Sequence, residues 1–276
     1  MNREDILIEA DELASKISDP NLRLFDATVL LTAGGRETGL GRYLAGHIPG
    51  AAFLDHGAVS DASVSAMFML PGEQALGDAI GKLGIGNDNE VVVYSSDQIM
   101  WATRIWWVLR YAGHRKVRVL NGGLTSWTGE LETAENNFEA TRFEINLSPS
   151  MIADRQEVLA AIDDGGVCTL NALPYSFYTG EADIPYAKEG HITGSLSLPF
   201  EKMMDGAGMK SNEDLVQAYS EYASSDRLIT YCGGGIAATL NACAALLAGH
   251  RNVAVYDGSM SEWLQEGMPT TKGDRP

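Results

Sequence analysis

An internal repeat is the feature that most constrains what this chain folds into. The repeated pairs are Gly46-His-Ile-Pro-Gly50 with Gly190-His-Ile-Thr-Gly194, Tyr94 with Tyr231, Gly113-His114 with Gly249-His250, and Asn121-Gly122 with Asp257-Gly258. The order is the same in both halves, and the offset stays at about 140 residues, which is typical of a duplicated domain. We therefore predict a tandem of two related domains.

The join between the two copies shows in the composition. Glu, Asn and Thr dominate between Thr128 and Pro149, and no apolar period survives there. A chain of 276 residues also leaves each copy the size of an ordinary domain. We predict a first domain over residues 1–135, a linker over residues 136–149 and a second domain over residues 150–276.

Short β-rich runs alternate with helical stretches in each half. The runs cover residues 22–26, 91–94 and 117–120, then residues 167–170, 228–231 and 253–256. Helical stretches are predicted over residues 100–111 and 237–248. Such alternation is typical of an α/β fold, in which a mainly parallel sheet carries helices on both faces. Ligands of such folds bind at the carboxyl edge of the strands.

Cys232 lies at that edge, directly after one predicted strand. Three glycines follow it, and glycine accepts the positive φ values that a tight loop needs. The N–H groups of residues 233–238 can then point inward around the sulfur and, with the start of the next helix, form an anion site. The candidate nucleophile is therefore Cys232, and the candidate substrate-binding residues are Gly233, Gly234, Gly235, Ile236 and Ala237.

The alternative for Cys232 is a buried cysteine beside a glycine turn, which is common for free cysteines. Three consecutive glycines serve no packing purpose, so we favour the reactive interpretation. A cysteine-dependent phosphatase or arsenate reductase is disfavoured, because such a loop needs an arginine six residues after the cysteine to bind the oxyanion. That position is Ala238 here.

Composition excludes several other classes of function. The formal net charge of −17 argues against nucleic acid or an anionic membrane as a partner. No apolar stretch reaches the length of a membrane-spanning helix, and the first residues lack a signal-peptide pattern. Cys168, Cys232 and Cys243 supply neither a disulfide framework nor a zinc site, so we expect a reducing cytoplasm. Cys168 and Cys243 are expected in the core.

Four motifs spread over nearly the whole chain carry a resemblance. They are Tyr43-Leu-Ala-Gly-His-Ile-Pro-Gly-Ala51, Val117-Arg-Val-Leu-Asn-Gly-Gly123, Gly190-His-Ile-Thr-Gly194, and the Cys232 loop with Val253-Ala-Val-Tyr-Asp-Gly258 behind it. Together they resemble the two-domain rhodanese-type sulfurtransferases, the family of thiosulfate and 3-mercaptopyruvate sulfurtransferases. The resemblance implies that the second half is catalytic and the first a noncatalytic copy, with Ser95 in the position of Cys232.

The resemblance also implies a reaction. Sulfane sulfur passes from a small donor, thiosulfate or 3-mercaptopyruvate, to a thiol or cyanide acceptor through a persulfide on Cys232. It implies no metal and no organic cofactor. His47 and His191 belong to the motif repeated in both halves, so we interpret them as structural.

This chain departs from the family pattern at positions that bear on which sulfur donor it uses. The family typically places arginines early in the second domain, where this chain has Leu173 and Phe177. The mercaptopyruvate branch has a histidine at the place of Phe68 and a hydroxyl residue at that of Gly234. An alternative function therefore stays open: a protein-facing sulfur carrier or regulatory module with little activity on small donors. Arg42 and Arg104 are the cations of the first half that could reach the cleft.

Overall fold

The computed structural model describes residues 1–31 and 37–276, and two five-stranded parallel sheets organise them. The first half contributes β1 (Leu7–Ile8), β2 (Leu22–Asp26), β3 (Ala52–Phe53), β4 (Glu90–Tyr94) and β5 (Val117–Leu120). These strands lie in the order β1-β5-β4-β2-β3, and every pairing between them is parallel.

The second half repeats this arrangement. Its strands are β6 (Ile152–Ala153), β7 (Val167–Asn171), β8 (His191–Ile192), β9 (Leu196–Ser197), β10 (Met204–Asp205), β11 (Gly208–Met209), β12 (Arg227–Tyr231), β13 (Val253–Tyr256) and β14 (Thr270–Thr271). Five of them form a parallel sheet in the order β6-β13-β12-β7-β9. The remaining four make two short antiparallel ribbons, β10 with β11 and β8 with β14.

Helices cover both sheets. They are α1 (Ala10–Lys16), α2 (Gly39–Ala45), α3 (Glu73–Lys82), α4 (Ile99–Tyr111), α5 (Arg155–Ala161), α6 (Tyr175–Tyr178), α7 (Asn212–Ala218), α8 (Ala237–Leu247) and α9 (Ser259–Gln265). Short 3-10 turns at Arg3–Asp5, His56–Val59, Gly123–Ser126, Pro149–Met151, Pro185–Glu189, Phe200–Met203 and Ser220–Tyr222 join them. None of the helices in the described part of the chain is long and apolar enough to cross a bilayer.

Each sheet is buried on both faces, which explains why its central strands read as continuous apolar runs. In β4, Val91 and Val93 pack into one core with α3 and α4, whereas Val92 and Tyr94 pack into another with α1. The second sheet divides its side chains in the same way, with α7 and α8 on one face and α5 and α9 on the other. The predicted α/β fold with helices on both faces is confirmed.

The two halves share one apolar core. Buried residues of α4 and α8 belong to a single cluster that also contains strands of both sheets. Within it, the hydroxyl oxygens of Thr103 and Thr239 lie 2.8 Å apart, so a hydrogen bond joins the two helices. Because α8 starts directly after the Cys232 loop, the packing of α4 fixes the first half against that loop.

The repeated histidines lie in the core of each half, where a structural role is expected for them. His47 and His191 are both fully buried and stack on Tyr43 and Tyr178, with ring centroids 3.8 and 3.6 Å apart. In each case Nδ1 lies 2.7 Å from the carbonyl oxygen of that same tyrosine. The tyrosine stacking and the carbonyl contact are the same in both halves, although Nε2 faces the side chains of Glu132 and Asn136 at His47 and the Arg275 carbonyl at His191.

Candidate active site

Cys232 lies at the carboxyl edge of the second sheet, immediately after the central strand β12. Tyr231 fixes the end of that strand. Its phenol oxygen accepts hydrogen bonds from the Ile192 N–H and the Asn171 side-chain amide, both at 3.0 Å, and lies 2.7 Å from Ser195 Oγ. The position of the cysteine at this edge is therefore set by a buried polar network directly below it.

The loop carbonyls turn toward helix α9. The Met260 N–H donates to the Cys232 carbonyl at 3.0 Å, and the Ser261 N–H donates to the Gly233 carbonyl at 2.8 Å. Because a trans peptide is planar, the N–H groups of Gly233 and Gly234 must point to the opposite side. Neither of these N–H groups has an acceptor within the described part of the chain. They are available to an anion.

The loop N–H groups, which we expected from the sequence to act together, fall into an engaged set and an open set. The N–H groups of Cys232 and Gly235 both donate to Ser259 Oγ at 3.1 Å. The amide of Gly235 is therefore engaged, and this residue contributes through its φ of +74° instead. Ile236 keeps an N–H without an acceptor among the described residues, and no described side chain caps the start of α8.

A segment of the first half, residues 65–70, covers the loop. We call it the covering segment. A Cβ atom added at Gly234 would lie 3.0 Å from the Cβ of Met67, so a side chain there would push the segment outward. At this position the glycine does serve packing, contrary to the expectation from the sequence. Three hydrogen bonds hold the segment to the second half: Ser65 Oγ to Gln265 Oε1 at 2.6 Å, Met67 N to Ser261 Oγ at 3.0 Å, and Leu70 N to Asp257 Oδ2 at 2.7 Å. Beneath this cover, Cys232 is only 2% exposed.

A buried ion pair joins the covering segment, the loop and α4. Arg104 Nη1 donates to Asp257 Oδ1 at 2.6 Å and to the Gly235 carbonyl at 3.4 Å, while Nη2 donates to the Phe68 carbonyl at 2.5 Å. Both side chains of the pair are almost fully buried. Arg104 therefore reaches the loop with its charge compensated by Asp257, whereas Arg42 pairs with Glu37 at the surface.

Phe68 of the covering segment packs against two other rings of the first half. His56, Phe68 and Trp101 contact one another edge to face, with centroid distances of 5.2 to 6.1 Å. Burial lowers the pKa of His56 to about 4, and its Nε2 lies 3.1 Å from the Ala27 carbonyl. His56 is therefore neutral at physiological pH and adds no positive charge behind the segment.

Of the other two cysteines, Cys243 lies in the core as the sequence predicted, whereas Cys168 is half-buried and packs against the core. Cys243 is fully buried in α8, and burial raises its pKa. Burial also raises the pKa of Cys168 to about 11, against a smaller opposing effect of a hydrogen bond with Ser225. Both are thiols at neutral pH, and only a thiolate is a good nucleophile.

The first half carries a closed counterpart of the Cys232 loop. Ser95 follows β4 as Cys232 follows β12, but its Oγ accepts a hydrogen bond from the Asp97 N–H at 3.1 Å. Its carbonyl accepts another from the Leu124 N–H at 3.1 Å, just as the Cys232 carbonyl accepts one from Met260, so the hydroxyl bond is what distinguishes the two loops. A serine engaged in closing its own turn fits a noncatalytic copy.

Comparison with known proteins accounts for both halves. The description "Rhodanese-like domain" matches residues 9–130 and again residues 154–266. Thiosulfate sulfurtransferase of Mus musculus is 35% identical over 274 residues, covering 95% of this chain and 92% of the mouse protein. The 3-mercaptopyruvate sulfurtransferase of Escherichia coli strain K12 is 31% identical over 268 residues, covering 93% and 94% of the two chains.

A solved structure agrees with these relatives. The crystal structure of the 3-mercaptopyruvate sulfotransferase SseA from Escherichia coli superposes with a TM-score of 0.84 at 29% identity, covering 94% of this chain and 99% of that one. The two parallel sheets, the duplicated motifs and the sequence matches lead to the same assignment. The chain is a two-domain member of the rhodanese family of sulfurtransferases.

Proposed function

We propose that Cys232 is the residue on which this sulfurtransferase carries sulfur from a small donor to a thiol or cyanide acceptor. One observation carries the assignment: Cys232 precedes α8 in a loop whose Gly233, Gly234 and Ile236 N–H groups have no acceptor among the described residues. Unsatisfied N–H groups at the start of a helix stabilise an anion. Both the thiolate and a persulfide on it are anions of this kind.

The proposed reaction has two displacements. The Cys232 thiolate attacks the outer sulfur of thiosulfate, a new S–S bond forms, and the donor S–S bond breaks so that sulfite leaves with the electron pair. An acceptor thiolate or cyanide then attacks the outer sulfur of the persulfide, and the Cys232 thiolate is released. The terminal sulfur of the persulfide lies where the open amides can hold it. These two displacement steps use only the Cys232 thiolate and backbone N–H groups, so they call for no metal or organic cofactor.

The charges around the loop bear on the choice of donor. Relatives carry the names of both thiosulfate and 3-mercaptopyruvate sulfurtransferases, so both donors are candidates for this chain. Arg104 is the one cation that a hydrogen bond or ion pair links to the loop within residues 1–31 and 37–276, and Asp257 compensates it. We therefore propose that small anionic donors bind weakly, and that neither donor is strongly preferred.

Installing an arginine beside the loop should strengthen thiosulfate binding. Leu173 is a suitable position, because the preceding Ala172 N–H donates to the Tyr231 carbonyl at 2.8 Å and Leu173 packs on the core cluster that contains Cys232. A charge-assisted hydrogen bond contributes about 1.5–3 kcal/mol, so Leu173→Arg should lower the half-saturating thiosulfate concentration by roughly tenfold or more. Initial rates of thiocyanate formation at fixed cyanide measure this.

Leu173→Gln is the matched control, since it loses the same apolar contact without adding charge. We expect its half-saturating thiosulfate concentration to stay at or above that of the unmodified protein. Tight saturation of the unmodified protein by thiosulfate would contradict the weak-binding proposal. Equal behaviour of the two variants would show that position 173 does not face the donor.

A second candidate is a protein-facing sulfur carrier whose donor is a persulfide on another protein. The compensated charge of Arg104 favours it, because a cysteine persulfide needs less cationic help than a dianion. Near-absent turnover with thiosulfate and mercaptopyruvate, together with rapid transfer from a persulfidated protein, would favour this candidate.

We also propose a reducing cytoplasm as the compartment, since Cys168, Cys232 and Cys243 are all free.

A further inference from the structure

Ser259 adopts a backbone conformation that residues of its type resist. Its φ is +50°, in the left-handed region that favours glycine. Among residues 1–31 and 37–276, Phe68 is the one other non-glycine residue with positive φ, and Arg104 ties the Phe68 carbonyl to the Cys232 loop. Strained residues of this kind persist where the surrounding structure holds them, and they cluster at functional sites.

The repeat offers an internal comparison for this position. Asn121-Gly122-Gly123 in the first half corresponds to Asp257-Gly258-Ser259 in the second. Gly123 has a φ of +57°, close to that of Ser259, although the preceding glycines differ, with a φ of +80° at Gly122 and −65° at Gly258. A Cβ atom at Gly123 would lie 2.2 Å from the Ser95 carbonyl oxygen, which excludes a side chain there. The half that contains the cysteine therefore has a side chain where the noncatalytic copy excludes one.

The Ser259 hydroxyl uses its full hydrogen-bonding capacity. Its oxygen accepts from the Cys232 and Gly235 N–H groups at 3.1 Å, and its O–H donates to the Tyr256 carbonyl at 2.8 Å. A hydroxyl has one donor and two acceptor sites, so none is left for a ligand. Ser259 is also fully buried. Ser259 thus connects both ends of the turn over residues 232–235 with the last residue of β13.

We infer that Ser259 is a positioning residue for Cys232. By binding the first and last amides of the turn, it holds the intervening Gly233 and Gly234 N–H groups in the orientation that stabilises the sulfur anion. A glycine at 259 would follow the same backbone path without strain but could not make these bonds. This inference rests on the proposed role of Cys232 and adds the residue that shapes its loop.

Two variants separate the hydroxyl from the strain. Ser259→Ala removes the hydroxyl and keeps an unfavourable φ, whereas Ser259→Gly removes both. Loss of two hydrogen bonds to the loop should slow iodoacetamide alkylation of Cys232 at neutral pH by about tenfold or more in both variants, and should slow sulfur transfer similarly. Ser259→Gly should nevertheless have the higher thermal midpoint, because glycine relieves the backbone strain.

A positioning role predicts that Ser259→Gly raises the thermal midpoint above that of Ser259→Ala without restoring the alkylation and transfer rates. Peptide-resolved mass spectrometry reports the alkylation of Cys232 separately from that of Cys168 and Cys243. Unchanged alkylation and transfer in Ser259→Gly would overturn the inference, even if Ser259→Ala failed to fold. Slowed alkylation with unchanged transfer would support the positioning role but overturn the assignment of sulfur transfer to Cys232.

Discussion

Replacing Cys232 by serine should abolish sulfur transfer from every donor while the fold stays intact. A hydroxyl in this loop is neither ionised at neutral pH nor able to form a persulfide, so the loss should reach roughly three powers of ten or more, the scale on which removal of a nucleophile acts. Thiocyanate formation from thiosulfate and cyanide measures the rate. The thermal midpoint should stay close to that of the unmodified protein, because the change replaces one atom.

The other two cysteines are the controls for that result. Cys243 is fully buried in α8 and Cys168 lies in β7, and burial raises the pKa of both thiols. Cys168→Ala and Cys243→Ala should each keep most of the transfer rate, although Cys243→Ala leaves a small cavity and lowers stability. Equal loss of transfer in all three variants would remove the basis for assigning the sulfur to Cys232.

Replacing Arg104 by alanine should have the second largest effect, on both stability and transfer. The change leaves the Asp257 carboxylate buried without its partner, and breaking a buried pair in this way typically costs about 3–5 kcal/mol. It also frees the Gly235 and Phe68 carbonyls, so the loop and the covering segment both lose a tie. Urea unfolding gives the stability, and the thiosulfate assay gives the rate.

Arg42 supplies a matched control in the same half of the chain. Its ion pair with Glu37 is at the surface, and such pairs contribute about 0–1 kcal/mol. Arg42→Ala should therefore change stability little and leave transfer unaffected. An Arg104→Ala variant as stable and as active as Arg42→Ala would contradict the role of the buried pair in holding the first half on the loop.

The central strands could be predicted from the sequence almost to the residue. The run at 22–26 coincides with β2, and the run at 228–231 differs from β12 only in the added Arg227. Burial on both faces makes such strands largely apolar, so the pattern is strong. The edge strands β1, β3, β6 and β9 have two residues each, and two residues carry no periodic pattern. Those strands form because a finished sheet offers them an edge.

The candidate site was predictable only in part, for a related reason. Cys232 and its glycines are consecutive in the sequence, so their local chemistry can be recognised there. Arg104 and Asp257 come from separate halves, and only the packing of α4 against α8 brings them together. Ser259 did leave a signal, because the repeat has Gly123 at the same place. That signal can be interpreted only with the structure, which shows that Ser259 and Gly123 both have a positive φ.

The most direct test of the account is the mass of the protein after incubation with each sulfur donor. Intact-mass spectrometry followed by peptide mapping should show a gain of one sulfur atom on the peptide that contains Cys232. Subsequent cyanide or thiol should remove that sulfur, and the Cys232→Ser variant should never acquire it. A sulfur atom located on Cys168 or Cys243, or no gain in mass with thiosulfate, mercaptopyruvate or a persulfidated protein, would contradict the claim that Cys232 carries the sulfur.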